Sequence, residues 1–134
     1  MILNIKIIAP DRTVWETEAE EAILPSSTGQ IGILSGHAPL LTALDIGVMR
    51  VRVSDKWVPL ALMGGFVEVE NDTLTLLINA AEQGSSIDLN AAESELEKAI
   101  ARSNEATSPK QIMEAKRSIS KARTRLQAAT LAKG

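Results

Sequence analysis

The chain has 134 residues, a net charge of −3 and an apolar content of 45%, which predicts one globular domain or two small ones with a real core. With no cysteine and a single histidine, it cannot form disulfides, thiol-based active sites, cysteine-ligated zinc sites or multi-histidine metal sites. No apolar run is long enough to span a membrane, and the start lacks a basic-then-apolar signal segment. The sequence therefore predicts a soluble intracellular protein.

Charge divides the chain into two parts. Residues 1–84 carry 5 basic and 11 acidic side chains, whereas residues 85–134 carry 9 basic and 6 acidic ones. Such a difference in net charge between the two parts predicts two modules with different electrostatic partners. We therefore place one domain at 1–84 and a second at 85–134.

The first domain has the pattern of short β-strands. Leu3, Ile5 and Ile7 alternate with polar residues, which is typical of a half-buried strand. Similar stretches recur up to Ile78. We expect the chain to turn at Asp45-Ile46-Gly47, and the pair Gly64–Gly65 to mark a bend, a bulge or a close backbone approach. The count is nine or ten strands without a helix between them, which predicts a β-sandwich or barrel.

The second domain has helical periodicity. Its first helix can begin at a cap on Asp88 or Asn90, and its second has a strong start signal at Ser108 and Pro109. Alanines recur every seven residues on both helices, at positions 92, 99 and 106 and at positions 115, 122 and 129. Facing alanine stripes let two helices approach closely, so the pattern predicts an antiparallel helical hairpin. Two helices of this length are marginal alone and must rest on another surface.

The glycine-rich stretch from Thr28 to Leu40 stands at the centre of the first domain. Gly29 and Gly36 can take positive φ there, and Pro39 fixes the direction in which the chain leaves. The stretch lacks the lysine of a phosphate-binding loop. It is either a plain β corner or a protruding docking surface that presents Gln30 and His37 to a partner.

The second helix carries basic residues, of which Arg117, Lys121 and Arg125 lie close to one face and Arg123 lies on another. These residues form either a solvated basic face or a surface for an acidic partner. The three aromatic residues are too few for the stacking platforms of a typical single-strand nucleic-acid binder. No arrangement of residues forms a credible catalytic site, so we do not expect an enzyme.

Several motifs together give the chain a family resemblance. They are Thr28-Gly29-Gln30-Ile31-Gly32-Ile33-Leu34, Gly36-His37-Ala38-Pro39-Leu40, Leu62-Met63-Gly64-Gly65-Phe66 and the alanine-rich basic hairpin. The sequence resembles the epsilon subunits of F-type ATP synthases over essentially its whole length. Thr13-Val14-Trp15 and the Leu62–Phe66 segment are most similar to the chloroplast and cyanobacterial branch.

The resemblance implies an α+β fold, with a ten-stranded β-sandwich followed by an antiparallel two-helix hairpin. The sandwich would dock on the gamma subunit and on the polar loops of the c-ring, which implies peripheral association with the energy-transducing membrane, here the thylakoid. Contact candidates at the rotor foot are Gln30, Ile31, Gly36, His37, Ala38 and Pro39. An extended hairpin would bring Arg117, Lys121, Arg123 and Arg125 to an acidic loop of the beta subunits and suppress ATP hydrolysis.

One departure from the family pattern concerns nucleotide binding. Several bacterial members bind ATP at an Ile/Leu-Asp-x-x-Arg-Ala motif, which corresponds here to Ile87, Asp88, Ala91 and Ala92. Ala91 stands in place of the arginine and cannot supply bidentate phosphate pairing. We therefore expect weak or no ATP binding and no cofactor. Two alternatives stay open: a nucleotide-sensing regulator and a basic hairpin that binds nucleic acid.

Overall fold

A computed structural model describes residues 1–134. Eight strands precede two helices, with a single 3₁₀ turn at Gly84–Ser86 between them. The strands are β1 Leu3–Ala9, β2 Arg12–Ala19, β3 Glu21–Ser26, β4 Gly29–Leu34, β5 Leu40–Val53, β6 Lys56–Glu70, β7 Thr73–Ile78 and β8 Ala81–Gln83. The helices are α1 Leu89–Ser103 and α2 Pro109–Lys133.

The strands form one hydrogen-bonded sheet in the order β2-β1-β7-β6-β5-β3-β4, with β8 added to β6. All neighbours are antiparallel except β1 and β7. The sheet folds into two layers because β6 pairs with β7 through residues 65–70, whereas β5 pairs with β3 mainly through residues 50–52. The expected β-sandwich followed by a helical hairpin is therefore confirmed.

The expected count of ten strands is wrong, because two glycine positions bend strands without ending them. Leu40–Leu44 and Val48–Val53 form one strand that continues through Gly47, and β6 continues through Gly64 and Gly65. Gly65 has a φ of +153°, and a Cβ there would overlap the carbonyl oxygen of Leu77. The predicted close backbone approach is thus present, inside an unbroken strand. A short strand, β8, lies where the sequence indicated only a polar joint.

The core of the sandwich is a cluster of 18 buried residues that come from β1 to β8. It follows the period-2 patterns of the sequence, so that Leu3, Ile5 and Ile7 are buried while Asn4 and Lys6 are exposed. No residue of the helices belongs to this cluster. The sandwich therefore contains its own hydrophobic core.

The helices pack against each other and onto the outside of the sandwich through a second, smaller cluster. This hairpin seat consists of Ala61, Met63, Ile87, Ala92, Ala128 and Ala129. Gly84 lies directly beneath α2, because a Cβ there would overlap the carbonyl oxygen of Ala128 and lie 3.1 Å from the Cβ of Ala132. Alanine and glycine residues thus let α2 approach the sandwich closely. Neither helix combines the length and the apolar content needed to cross a membrane.

The helix starts follow the sequence signals. The Asp88 carboxylate accepts a 3.0 Å hydrogen bond from the Ala91 N–H and is the N-cap of α1, whereas Asn90 lies inside the helix. At α2 the predicted capping box is complete, with reciprocal bonds between Ser108 and Gln111. These caps satisfy N–H groups that a helix start otherwise leaves unpaired.

Two tight hairpin turns contain residues with positive φ, and one of them is stabilised by a carboxylate from elsewhere in the chain. In the β5–β6 turn, Ser54 and Asp55 both have positive φ, and their N–H groups donate to Glu20 at 3.3 and 2.9 Å. The bond from Asp55 is the main cause that lowers the pKa of Glu20, although some desolvation opposes it. In the β6–β7 turn, Asn71 and Asp72 also have positive φ, which is typical of a two-residue hairpin turn.

Glu20→Gln should remove a pH-dependent contribution to the stability of the fold. A carboxylate with a lowered folded-state pKa contributes stability above its ordinary pKa of 4.5 and loses it as the pH falls through the folded-state value. Glutamine turns an amide N–H₂ toward one of the two backbone donors. We expect a lower melting temperature than wild type at neutral pH and a difference that shrinks below pH 4.5. Thermal unfolding by circular dichroism measures it. Glu18→Gln is the control, and a difference that stays constant with pH would contradict the expectation.

Gly84→Ala should loosen the hairpin and leave the sandwich intact. Gly84 does not have a positive φ, so the added methyl acts only by overlapping α2. Overpacking of this kind costs about 1–3 kcal/mol. We expect faster amide hydrogen exchange in α1 and α2, with unchanged exchange in β1 and β7. Gly32→Ala is the matched control, because nothing lies within 4 Å of a Cβ there. Equal loss of protection in strands and helices would show that the hairpin is not a separate unit.

Candidate interaction surfaces

An apolar row crosses the outside of the sandwich. Cross-strand pairing places Ala43 beside Phe66, Phe66 beside Leu77 and Leu77 beside Ile8. Phe66 and Leu77 are more than half exposed, and Leu41, two residues along β5, is 71% exposed. At about 4.8 Å per strand the four-strand row is about 14 Å wide. A contiguous apolar surface of this kind is typical of a protein–protein contact.

The connection from β4 to β5, Ser35–Pro39, borders one end of this row. Leu40 and Leu41 follow it directly, so the chain runs from the connection into the row. Gly36 has a φ of +88°, as predicted for a turn glycine. Gly36, Ala38 and Pro39 are exposed, and His37 is half-buried with its Nδ1 2.7 Å from the Ala38 carbonyl oxygen. The connection therefore meets the row through Leu41, while the exposed residues Glu68 and Glu70 of β6 lie between it and Phe66.

Gln30 and Ile31 lie apart from this connection. They belong to β4, an edge strand that pairs only with β3. The end of β4 at Leu34 lies four residues after Gln30, a distance of about 13 Å. Gln30 is exposed, whereas Ile31 is half-buried and packs against the main core. The six contact candidates of the glycine-rich stretch thus divide into a polar strand edge and a loop beside the apolar row.

The four basic candidates on α2 have different surroundings. Arg117 and Arg123 are exposed, Lys121 is half-buried, and none of the three makes an ion pair. Lys121 and Arg125 line a cleft of about 600 Å³ between α2 and the β1–β2 turn, where Arg12 also lies. The four residues therefore do not share one surface while the hairpin is seated on the sandwich.

Arg125 joins three elements of the structure. Its Nε donates to Glu82 of β8 at 2.6 Å and its Nη2 to the other oxygen of Glu82 at 3.3 Å, while its Nη1 donates to Glu95 of α1. The hydrogen bond to Glu82 is the main cause that raises the pKa of the Arg125 guanidinium, against some desolvation. One side chain thus ties α2 both to the sandwich and to α1.

The residues of the degenerate nucleotide motif have structural roles here. Ile87 and Ala92 are buried in the hairpin seat, and the Asp88 carboxylate is engaged as the cap of α1. Ala91 is exposed. The nearby cation Arg125 is already paired with two carboxylates. No group of three or more His, Asp or Glu side chains is arranged to hold a metal ion.

Sequence reasoning missed the apolar row and the partners of Arg125. A signal for the row was present, because Phe66 and Leu77 are apolar residues at positions that the strand alternation assigns to the outside. Val67 and Leu76 beside them are buried. No local signal could have found Glu82 and Glu95, since they meet Arg125 only through the way the hairpin folds back.

Comparison with protein families matches both parts of the chain. Residues 2–84 match the family described as "ATP synthase, Delta/Epsilon chain, beta-sandwich domain". Residues 85–130 match "ATP synthase, Delta/Epsilon chain, long alpha-helix domain". The two matches together extend over almost the whole chain.

Similar curated proteins are full-length relatives. The chloroplastic ATP synthase epsilon chain of Porphyra purpurea is 64% identical over 132 residues, which cover 98% of each chain. The ATP synthase epsilon chain of Synechococcus sp. (strain PCC 6716) is 54% identical over 132 residues, with 96% of each chain covered. These relatives confirm the predicted similarity to the chloroplast and cyanobacterial branch.

Similar folds occur in solved structures. A chain of the Euglena gracilis mitochondrial ATP synthase, solved as OSCP/F1/c-ring, superposes with a TM-score of 0.83 at 19% identity, and the match covers 96% of this chain and 81% of that one. A chain of the Tetrahymena thermophila central stalk and c-ring gives a TM-score of 0.66 at 15% identity, covering 94% and 95%. At these identities the likeness concerns the fold.

Proposed function

The chain belongs to the ATP synthase delta/epsilon family, and we propose that it is the epsilon subunit of a proton-translocating F-type ATP synthase. In this role it is a non-catalytic component of the central rotor stalk that couples proton flow to ATP synthesis. It reaches the energy-transducing membrane, here the thylakoid, through the complex. Its sandwich, residues 1–84, docks on the rotor, and its hairpin, residues 85–134, regulates ATP hydrolysis.

The apolar row is the observation that carries the docking proposal. Phe66, Leu77 and Leu41 expose apolar surface that the fold does not use, and contiguous exposed apolar surface marks protein–protein interaction sites. We assign the gamma subunit to this row together with Gly36, His37, Ala38 and Pro39. The exposed polar edge at Gln30 fits the polar loops of the c-ring.

Phe66→Asp should weaken docking on the rotor. A charge at the centre of the row must be desolvated on binding, and we expect a loss of affinity of about 30-fold or more. Binding to an epsilon-depleted complex that contains gamma measures it. Phe66 is 57% exposed, so the variant should retain its fold. Met113→Ser is the control, because Met113 is 72% exposed but lies on α2. If wild type and the Phe66 variant bind equally well, the apolar row is not the docking surface.

The hairpin is suited to a regulatory role because only a small apolar cluster and one ion pair attach it to the sandwich. Four of the six residues of its seat are alanines, and Arg125 forms its ion pair with the sandwich. While the hairpin is seated, Glu82 and Glu95 occupy the guanidinium of Arg125. An acidic loop of the beta subunits must therefore replace these two carboxylates before it can bind Arg125. Arg117 and Arg123 are free of ion pairs and accessible to such a loop.

Adding the chain back to an epsilon-depleted catalytic head tests the regulatory proposal. The full chain should bind and inhibit ATP hydrolysis, whereas residues 1–86 should bind without inhibiting. This truncation keeps the whole 18-residue core of the sandwich. Reversing Arg117 and Arg123 to Glu should reduce inhibition but not binding, because an acidic partner would be repelled.

Reversal of Lys98 and Arg102 on α1 serves as the matched control for this experiment. Both are exposed basic residues of the hairpin outside the α2 set. If the control reversals abolish inhibition as strongly as those at Arg117 and Arg123, net charge and not the α2 surface is responsible. If neither the full chain nor residues 1–86 bind the head, the proposed function itself fails.

A further inference from the structure

The loop beside the apolar row is held by one side chain from a distant turn. Asp72, in the β6–β7 turn, accepts a hydrogen bond of 2.7 Å from the Gly36 N–H and one of 2.9 Å from the Ser35 hydroxyl. The other hydrogen bonds within Ser35–Pro39 are local, such as the 3.1 Å bond from the His37 N–H to the Leu34 carbonyl. Beyond them, only a 4.0 Å contact joins the Ser35 hydroxyl to Met1 Sδ. Asp72 is therefore the principal tether of this loop.

Asp72 is itself firmly placed. It is the second residue of a tight two-residue turn and has a φ of +59°, and its carbonyl oxygen accepts a 2.8 Å hydrogen bond from the Asn4 N–H at the start of β1. The hydrogen bond from the Gly36 N–H, followed by that from the Ser35 hydroxyl, lowers the pKa of Asp72. The carboxylate is thus ionised at neutral pH and accepts both bonds as a charged group, which strengthens them.

We propose that Asp72 is the positioning residue of the docking loop, Ser35–Pro39. Asp72 holds Gly36, His37, Ala38 and Pro39 beside the apolar row before a partner binds. The inference rests on the proposed docking function of this surface. A loop that must be ordered on binding subtracts its ordering cost from the affinity, whereas a loop that is already ordered does not. Asp72 itself need not touch the partner, because it acts through Ser35 and Gly36.

Asp72→Gly removes the tether without harming the turn, because glycine is favoured at this position of a two-residue hairpin turn. Asp55→Gly is the matched control. Asp55 occupies the same position of the β5–β6 turn with a φ of +65°, and its carboxylate contacts only Arg52, at 3.5 Å. Asp72→Asn is the conservative variant, since its amide oxygen can accept from the Gly36 N–H while its N–H₂ donates to the Ser35 hydroxyl.

Two measurements test the proposal. In binding to an epsilon-depleted complex, Asp72→Gly should lose about tenfold in affinity, as expected for one or two lost hydrogen bonds. Asp55→Gly should bind as wild type does, and Asp72→Asn should stay within about threefold of wild type. In the free chain, amide hydrogen exchange at Gly36 should be faster in Asp72→Gly and unchanged in Asp55→Gly.

Three results would overturn the inference: wild-type affinity in Asp72→Gly, an equal loss in Asp55→Gly, or unchanged exchange at Gly36 in Asp72→Gly. Failure of the proposed function is distinguishable from these. If wild type does not bind the complex, the docking function is wrong, and the exchange at Gly36 in the free chain still decides whether Asp72 orders the loop.

Discussion

The pairing of β5 with β6 is the constraint on which the rest of the structure depends. The two strands have 14 and 15 residues and remain paired from Leu40 with Val69 to Val53 with Lys56. They are long enough to belong to both layers of the sandwich, so the layers cannot shift relative to each other without breaking this pairing. One side of the pair faces the main core. The other side carries the apolar row at Phe66 and the floor of the hairpin seat at Ala61 and Met63.

The apolar row and the hairpin seat are therefore built on the same pair of strands. Gly64 and Gly65, with φ of +86° and +153°, lie between Met63 of the seat and Phe66 of the row. The bend at this point lets β6 contribute residues to both the hairpin seat and the apolar row. Side chains with a Cβ rarely adopt such φ values, so glycine suits both positions. The hairpin therefore lies on the same side of the β5–β6 pair as the apolar row and leaves Phe66 exposed.

Much of this architecture could be predicted from the sequence because it depends on local rules. Alternation placed Met49 and Val51 inside and Arg50 and Arg52 outside, where both arginines flank Trp57 at 5.8 and 5.9 Å from its ring centre. Likewise, the signals at Ser108 and Pro109 located the start of α2 to the residue.

The strand count failed because a glycine in a strand can bend it or end it, and only tertiary pairing decides between the two. The tether at Asp72 and the ion pairs of Arg125 were out of reach for a related reason. They join residues 30 to 43 positions apart in the chain, and no period in the sequence indicates which distant turn, strand or helix will face a given side chain. Such long-range polar contacts determine the candidate surfaces more than they determine the fold.

Energetics separate the two domains as clearly as composition does. The core of the sandwich buries leucine, isoleucine and valine side chains, each worth about 1.5–3 kcal/mol, whereas each alanine methyl in the seat contributes less, about 0.8 kcal/mol. The seat can therefore open at a cost that leaves the sandwich folded. Arg125 links the opening of the seat to the packing of the two helices, because its guanidinium bridges Glu82 of β8 and Glu95 of α1. Withdrawing Arg125 weakens the contact of α2 with the sandwich and with α1 in one step. A partner that captures this arginine therefore acts on both contacts of the hairpin at once.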